Sequence, residues 1–272
     1  MNSPNNESAF SPRLLAVWTG AVLVFILAPL VVVMLISLTT TEYISLPTQG
    51  VTLKWFARAI DDKVFRAAAL TSVILATASA VLALVAGTGL ALAVHRHRFP
   101  GRGLIATLGM APLFVPMVMI ALALLLAANR YGVHDAWLRL LIGHGILTLP
   151  YVVRTMTASL AGFDLNQELA ARNLGASPLR AFLLVTLPQL GPGMMAGAVF
   201  AFIVSLDNVA VSIFLAGADF TTLPVQLFAY ASYKSDPMVA AVSVLIIVVS
   251  LGIVALSEKF FGIQNLLRGE RA

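Results

Sequence analysis

The sequence predicts an all-α polytopic membrane protein with six transmembrane helices. Of its 272 residues, 60% are apolar and only 11% are charged, whereas a typical soluble domain carries roughly 25% charged residues. A globule of this size cannot hide so much apolar surface from water, so the solvent of most of the chain must be lipid. Every backbone polar group in lipid has to be paired within the chain, and helices achieve this locally.

Six apolar stretches are long enough to cross the bilayer, since about 20 helical residues span roughly 30 Å of hydrocarbon. The fourth stretch is the weakest because Arg139 lies near its outer end. The first is longer than the apolar segment of a signal peptide, so we expect it to be retained. Residues 1–13 and 261–272 are then tails of a single domain, 14–260. The stretches lie at 14–38, 67–94, 103–128, 136–153, about 190–215 and 237–257.

Basic residues predict the orientation of the spans. With six spans both termini lie on one side of the membrane, and an internal N-terminus leaves more Lys and Arg inside than outside. The clearest marker is the short turn 95–102, because short loops beside spans govern orientation. We therefore expect both termini in the cytoplasm. The net charge of +5 then reflects cytoplasmic loops at a lipid surface, and we expect no nucleic-acid partner.

The longest inner connection, 154–188, predicts a structured loop, because so long a segment without structure would be unusual. Asp164 begins a capping-box pattern, and Gly175 can close a helix in the left-handed conformation. We expect a short helix between them, outside the bilayer. Ala170 and Ala171 leave one of its surfaces without bulky side chains, so a groove of another protein can approach closely. An amphipathic helix at the lipid headgroups fits the same periodicity.

The residues of this loop resemble the EAA signature of permease subunits of bacterial ABC importers. They read Glu168-Leu-Ala-Ala, then Gly175-Ala176-Ser177, then Leu187-Pro188. Leu169 replaces the first Ala of the family pattern, and Val185 replaces its usual Ile. The resemblance covers about 14–260 and is greatest to the second permease subunit of spermidine/putrescine-type importers. The other residues in family order are Trp55-Phe56, Leu70-Thr71-Ser72, Gly87, Ala91, Arg96, Phe99, Pro112, Pro116, Pro150-Tyr151, Ser205-Leu206-Asp207-Asn208 and Thr222-Leu223-Pro224.

The resemblance implies a helical core like that of the methionine and maltose importers, working by alternating access in a bacterial cytoplasmic membrane. A second permease, similar or identical, would pair with this chain. Two cytosolic ATPases would bind ATP and Mg²⁺, and a periplasmic binding protein would deliver the solute. The chain itself lacks the P-loop pattern G-x-x-x-x-G-K-[ST]. It would therefore be a transport subunit, with no enzymatic activity and no cofactor of its own.

The resemblance also implies roles for the residues of the loop. Its helix would be a coupling helix seated in a groove of the ATPase. Glu168 would contact basic or amide groups there, Ala170 and Ala171 would let the backbones approach, and Gly175 would supply the sharp turn. Ala176 belongs to the same set of coupling residues.

Asp207 is the only charge within the core of a predicted span. A carboxylate at mid-membrane costs roughly 2.5–3.5 kcal/mol on insertion scales, so it must face a cavity or a partner. We expect it, with Ser205 and Asn208, to line the path of the solute. A structural acid paired with Arg or Tyr of another helix is the alternative. Polyamine-type relatives often have Asp-Asp here, and Asn208 leaves one acid for a small cationic organic solute.

The sequence gives less support to other classes of protein and to other kinds of site. His144 lies in the fourth span between two glycines, where hydrogen bonding to a neighbouring helix is commoner than a ligand or proton-relay role. The chain has no cysteine, which excludes thiol chemistry, and we expect no metal site.

A stand-alone ion-coupled secondary transporter would use Asp207 and should show two similar halves. An intramembrane enzyme would need a cluster of acids, histidines or a Ser/His pair within the spans, and its only candidates, Asp207 and His144, are not linked in the sequence. Co-purification with an ATPase would separate a permease from both.

Overall fold

The computed structural model describes residues 12–45, 48–217 and 220–261, and helices provide all the regular structure in these ranges. The all-α prediction is therefore confirmed for the described chain. The expected tails lie almost wholly outside it. The helices are α1 (Pro12–Ser37), α2 (Lys54–Asp61), α3 (Lys63–Arg96), α4 (Arg102–Met110), α5 (Met117–Arg130), α6 (Ala136–Ala161), α7 (Leu165–Asn173), α8 (Pro178–Ala181), α9 (Leu187–Leu206), α10 (Ala210–Leu215), α11 (Leu223–Tyr233) and α12 (Met238–Phe261).

The chain divides into two compact units. One comprises the residues up to Asp61 together with Ala231–Ile247, and the other comprises Asp62–Tyr230 together with the residues from Val248 onward. In the first unit α1 is apolar and exposed around most of its circumference, as suits a helix whose solvent is lipid. There the buried Trp55 anchors α2, because its indole Nε1 donates a hydrogen bond to the Thr39 carbonyl at 2.8 Å.

The core of the second unit is formed by α3, α6 and α9, which pack against one another. Small residues let these helices approach closely. A Cβ on Gly197 would lie 2.6 Å from Thr155 Oγ1 and 3.2 Å from the Val152 Cα, so only glycine fits that crossing. A Cβ on Gly193, four residues earlier, would clash with Ser159, so the two glycines form a small-residue pattern at a close helix–helix contact. The buried apolar core is Ala80, Ala83, Ala91, Val152, Met156, Leu160, Leu190 and Ala201.

The third apolar stretch, which the sequence predicts as a span at 103–128, is bent in the structure. A short 3₁₀ turn follows α4, and the axes before and after the break differ by 109°. Pro112 and Pro116 explain the break, because proline lacks the backbone donor and its ring clashes with the preceding helical turn. Among the described residues, five helices are long and apolar enough to span a membrane, and the count reaches six if the bent pair is one span.

The fifth span ends earlier than expected. Its helix runs from Pro178 to Leu206 and includes a π-helical segment, Phe182–Thr186. The chain then leaves the helix at Asp207, and α10 begins only at Ala210, so the prediction of a continuous helix to about 215 is wrong. Local polar bonds account for the break: Asn208 Oδ1 accepts a hydrogen bond from the Val211 amide at 2.8 Å and so caps α10. Such side chain–backbone bonds compete with helix continuation.

Candidate coupling loop and intramembrane polar site

The predicted helix of the inner loop is present as α7, and its ends have the expected chemistry. Asp164 caps its N-terminus by accepting a hydrogen bond from the Asn166 amide at 3.0 Å. Beyond its C-terminus Gly175 has a φ of +95°, a conformation that glycine adopts readily. Ser177 then caps α8 through the Arg180 amide, with Pro178 at the first helical position. The loop is therefore two short helices joined by a sharp left-handed turn.

The surface of this loop carries exposed apolar side chains. Leu165 and Leu169 are about half exposed, and Leu174 is 90% exposed. Ala170 and Gly175 are exposed beside them, while Ala171 and Ala176 are half-buried. Exposed leucines in a segment expected outside the bilayer remain in water until another surface covers them, which is typical of an interaction site.

Glu168 faces inward, although the family resemblance implies that it contacts an ATPase. It is 9% exposed. Its Oε2 accepts from Arg96 Nη2 at 2.6 Å and its Oε1 from Arg96 Nη1 at 3.3 Å, a two-pronged geometry that is strong for guanidinium and carboxylate. The Thr186 hydroxyl also donates to Oε2. Both carboxylate oxygens are therefore occupied within the chain, and the ATPase contact of Glu168 stays a prediction.

The same guanidinium makes two further contacts with the segment that leads into the fifth span. Arg96 Nη2 lies 3.3 Å from Thr186 Oγ1, and its Cζ stands 5.5 Å from the centroid of the Phe182 ring, within the range of a cation–π interaction. We call Arg96, Glu168, Phe182 and Thr186 the clasp. It joins the C-terminal end of α3, the middle of α7 and both ends of the π-helical segment.

The charge of Glu168 is maintained by the clasp. Burial acts to raise its pKa, but hydrogen bonds from Thr186 and Arg96, together with the positive charges of Arg96 and Arg172, outweigh burial and leave the pKa below its ordinary value. The carboxylate is therefore ionised at neutral pH. Sequence reasoning missed this pair because its members are 72 residues apart and no local spacing links them.

Asp207 lies at the break in the fifth span, as the C-cap of α9. Its side chain is exposed, and within the described ranges it makes no ion pair or hydrogen bond. The alternative of a structural acid thus has no partner in this part of the chain. Whether Asp207 faces a cavity or a partner outside this chain stays a prediction.

The two residues expected beside Asp207 face inward instead. Asn208 is buried; besides capping α10, its Nδ2 lies 3.5 Å from the Met117 sulfur. Ser205 is also buried and bonds to His144. Their place on the solute path stays a prediction, since the structure gives both of them partners within the chain.

His144 joins the two sides of the break, which confirms that it bonds to a neighbouring helix. Its Nδ1 lies 2.7 Å from Ser205 Oγ and its Nε2 lies 3.0 Å from Ser212 Oγ. The Ser212 hydroxyl donates to the Asn208 carbonyl at 2.8 Å, so its oxygen must accept from Nε2–H. Burial disfavours the charged imidazolium, so Nδ1 carries no proton and accepts from the Ser205 hydroxyl. This assigns a neutral imidazole that connects α9 to α10.

In the residues that the structure describes, no three His, Cys, Asp or Glu side chains are grouped closely enough to hold a metal ion. The network around His144 does pair a serine hydroxyl with an imidazole, since Ser205 Oγ lies 2.7 Å from Nδ1. Both side chains are buried, so a substrate has no access to this hydroxyl, and the contacts of His144 join helix ends within the chain.

Comparisons with known proteins place the chain among transport subunits. Residues 83–260 match the family described as binding-protein-dependent transport system inner membrane component. The spermidine/putrescine transport system permease protein PotC of Haemophilus influenzae is 30% identical over 234 residues, 86% of this chain and 91% of that one. The putrescine transport system permease protein PotI of Escherichia coli K12 is 29% identical over 230 residues, 82% of each chain.

A solved structure supports the fold. The crystal structure of a bacterial ABC transporter involved in the import of the acidic polysaccharide alginate matches with a TM-score of 0.69 at 20% identity, covering 90% of this chain and 94% of that one. At that identity the match establishes only the architecture. Because the family match spans more than half of the sequence, the chain belongs to the binding-protein-dependent transport system inner membrane components, the permease subunits of ABC transporters.

Proposed function

We propose that this chain is one permease of an ABC importer in a bacterial cytoplasmic membrane, and that its solute is a small organic cation of the polyamine type. A second permease, similar or identical, completes the pathway. Two cytosolic ATPases bind ATP and Mg²⁺, and a periplasmic binding protein delivers the solute. The names of the matched relatives, which are spermidine/putrescine and putrescine permeases, support this choice of solute.

The observation that carries the proposal is the exposed carboxylate of Asp207. It lies where α9 ends, and the C-terminus of a helix has a partial negative charge from its aligned peptide dipoles. Carboxylate and helix end therefore reinforce each other in attracting a cation, as in transporters whose broken helices direct their ends at the transported ion. Asp207 has no cationic partner among the described residues, so its charge is available to a passing solute.

Movements of the ATPases would be transmitted to the permease through α7. Its exposed leucines, together with Ala170, form an apolar surface that a groove of the ATPase can cover. ATP binding closes the ATPase dimer, the coupling helices move with it, and the two permeases alternate between inward-open and outward-open states. The sharp turn at Gly175, with its φ of +95°, fixes the direction in which α7 is presented.

Uptake by the purified complex in vesicles tests this function. The chain is co-expressed with its partner permease, ATPase and binding protein, and uptake of labelled putrescine and spermidine is measured with ATP inside the vesicles. We expect uptake that requires ATP and the binding protein, while an acidic sugar of similar size is not imported. Uptake driven by an ion gradient without ATP would instead support the secondary transporter. Uptake of the acidic sugar alone would overturn the choice of a cation.

A further inference from the structure

The clasp brings three segments of the chain to one carboxylate at the inner end of the second unit. Arg96 is the last residue of α3, Glu168 lies in the middle of α7, and Thr186 ends the π-helical segment that precedes α9. The ion pair closes at 2.6 Å, with the two side chains only 20% and 11% exposed. Glu168 is thus attached to the ends of two helices of the central core.

We propose that the clasp is the mechanical link through which a movement of α7 reaches the transmembrane core, with Arg96 as the positioning residue. The inference rests on the proposed function, since it needs α7 to be the element that an ATPase moves. It differs from the role expected for Glu168, because the carboxylate here binds inward to its own chain. The exposed side chains of α7 would make the contact with the ATPase.

The geometry of the ion pair suits a rigid link. A guanidinium that meets a carboxylate with two donors fixes the orientation of both groups as well as their separation. The ring of Phe182 lies against the guanidinium at 5.5 Å and restricts Arg96 further. Arg96 Nε is buried without a hydrogen-bond partner, so the side chain keeps this position in spite of an unsatisfied donor. An isolated surface pair would be too loose and too well screened to transmit a displacement.

The elements joined by the clasp extend the movement into the membrane. Arg96 ends a helix of 34 residues, α3, that packs along α6 and α9, so a displacement at Arg96 acts on the whole core. On the other side the π-helical segment begins at Phe182 and ends at Thr186, and both of these residues touch Arg96. A π-helical turn is a local departure from α-helical bonding that often marks functional positions. It allows α8, the first turn of the fifth span, to shift relative to α9.

The decisive variant removes the charge at Arg96 and keeps its apolar stem. Arg96→Met is compared with Arg98→Met, an exposed arginine in the same inner turn, in vesicles that contain the complete complex. We expect Arg96→Met to hydrolyse ATP while the amount of solute imported per ATP falls about tenfold or more, within the usual range of coupling factors between sites. Arg98→Met should match the wild type. Normal import per ATP in Arg96→Met would overturn the inference.

A second design keeps the test decisive if Arg96→Met fails to assemble. The chain has no cysteine, so Arg96→Cys combined with Glu168→Cys provides the only reactive pair. We expect this double variant to be uncoupled, and to regain import per ATP when a short thiol–thiol cross-linker is added after assembly. A role confined to folding would be unaffected by a link made afterwards. Cross-linked protein that remains uncoupled would therefore contradict the mechanical role.

A docking variant separates this inference from the proposed function. Ala170→Trp places bulk on the exposed surface of α7, outside the clasp, and should uncouple ATP hydrolysis from uptake if α7 lies in an ATPase groove. If Ala170→Trp is normal, docking by α7 is wrong. If Ala170→Trp uncouples the complex and Arg96→Met does not, docking stands and the clasp inference fails.

Discussion

At the scale of single residues, Asp207 and Glu168 show how two carboxylates of one chain meet different requirements. Glu168 is ionised because Arg96 and Thr186 occupy its oxygens. Asp207 has no such partner among the described residues and is exposed where α9 ends. Its charge therefore needs water, solute or a second subunit. Glu168 is therefore bound within its own chain, whereas the carboxylate of Asp207 is available to bind a cationic solute.

The availability of Asp207 can be tested by removing its charge. Asp207→Asn keeps the size and hydrogen-bonding capacity of the side chain, and we expect uptake of a cationic solute to fall about tenfold or more, which corresponds to a loss of ~1.4 kcal/mol. Asp207→Glu, which keeps the charge, should retain most of the uptake. Affinity for the separate binding protein and the yield of the complex should not change. A reduced yield of the Asn variant would instead reveal a basic partner in the second permease that has been left unpaired.

His144 is a residue whose role depends on two hydrogen bonds rather than on charge. His144→Leu fills the same space but leaves Ser205 and the break around Ser212 without the imidazole. We expect it to destabilise the complex by about 1–3 kcal/mol, the usual cost of an unsatisfied buried polar group. His144→Gln can both donate and accept, and it should recover much of that loss. Thermal unfolding in detergent compares the two variants, and equal losses would show that the two hydrogen bonds of the imidazole do not stabilise the complex.

At the scale of elements, the sequence predicts where helices occur better than where they break. Long apolar runs and caps such as Asp164 report helix formation directly, because lipid demands internal backbone pairing. The run at 103–128 shows no loss of hydropathy at Pro112 and Pro116, where the structure bends by 109°. At the end of the fifth span the polar residues Asp207 and Asn208 are visible in the sequence, but they also fit a continuous helix beside a cavity. Only the structure shows that Asn208 stops the helix by a local bond to the Val211 amide.

The candidate sites could also be predicted only in part from the sequence, because the sequence reports local features and not contacts between distant residues. The position of α7, its turn at Gly175 and the unusual charge of Asp207 are local features of the sequence. The clasp and the network of His144 join residues that are 72 and 61 positions apart. No periodicity or spacing within a segment contains that information. Such pairs become visible only when packing of α3, α6 and α9 brings their elements together.

The turn after α7 gives a prediction at this scale. Gly175 has a φ of +95°, and a Cβ there would meet nothing within 4 Å, so Gly175→Val acts through backbone strain alone. A non-glycine residue in a left-handed conformation costs roughly 1–2 kcal/mol, more for a β-branched side chain, and we expect α7 to shift and the complex to lose ATP-driven uptake. Gly132 has the same kind of backbone, with a φ of +70° and free space around it. Gly132→Val is therefore the matched control for strain elsewhere, and equal effects of the two variants would argue against a special role of the α7 turn.

At the scale of the whole molecule, the proposed importer depends on which side of the membrane α7 occupies. His134 and Asn173 are both exposed and lie on either side of α6, whose 26 residues extend about 39 Å at 1.5 Å per residue. That length is sufficient to cross the hydrocarbon core, so the two positions should face opposite compartments. By the positive-inside rule, the short basic turn at 95–102 predicts that the α7 side lies in the cytoplasm.

Labelling of single cysteines decides this orientation without background, because the chain has none of its own. In intact cells, His134→Cys should react with a membrane-impermeant maleimide added outside, whereas Asn173→Cys should react only after the membrane is permeabilised. Each variant must first show normal uptake, so that the topology measured is that of working protein. The reverse pattern would place α7 outside the cell, where no cytosolic ATPase could dock on its exposed leucines. It would also leave the clasp with no movement to transmit, whatever the effect of Arg96→Met.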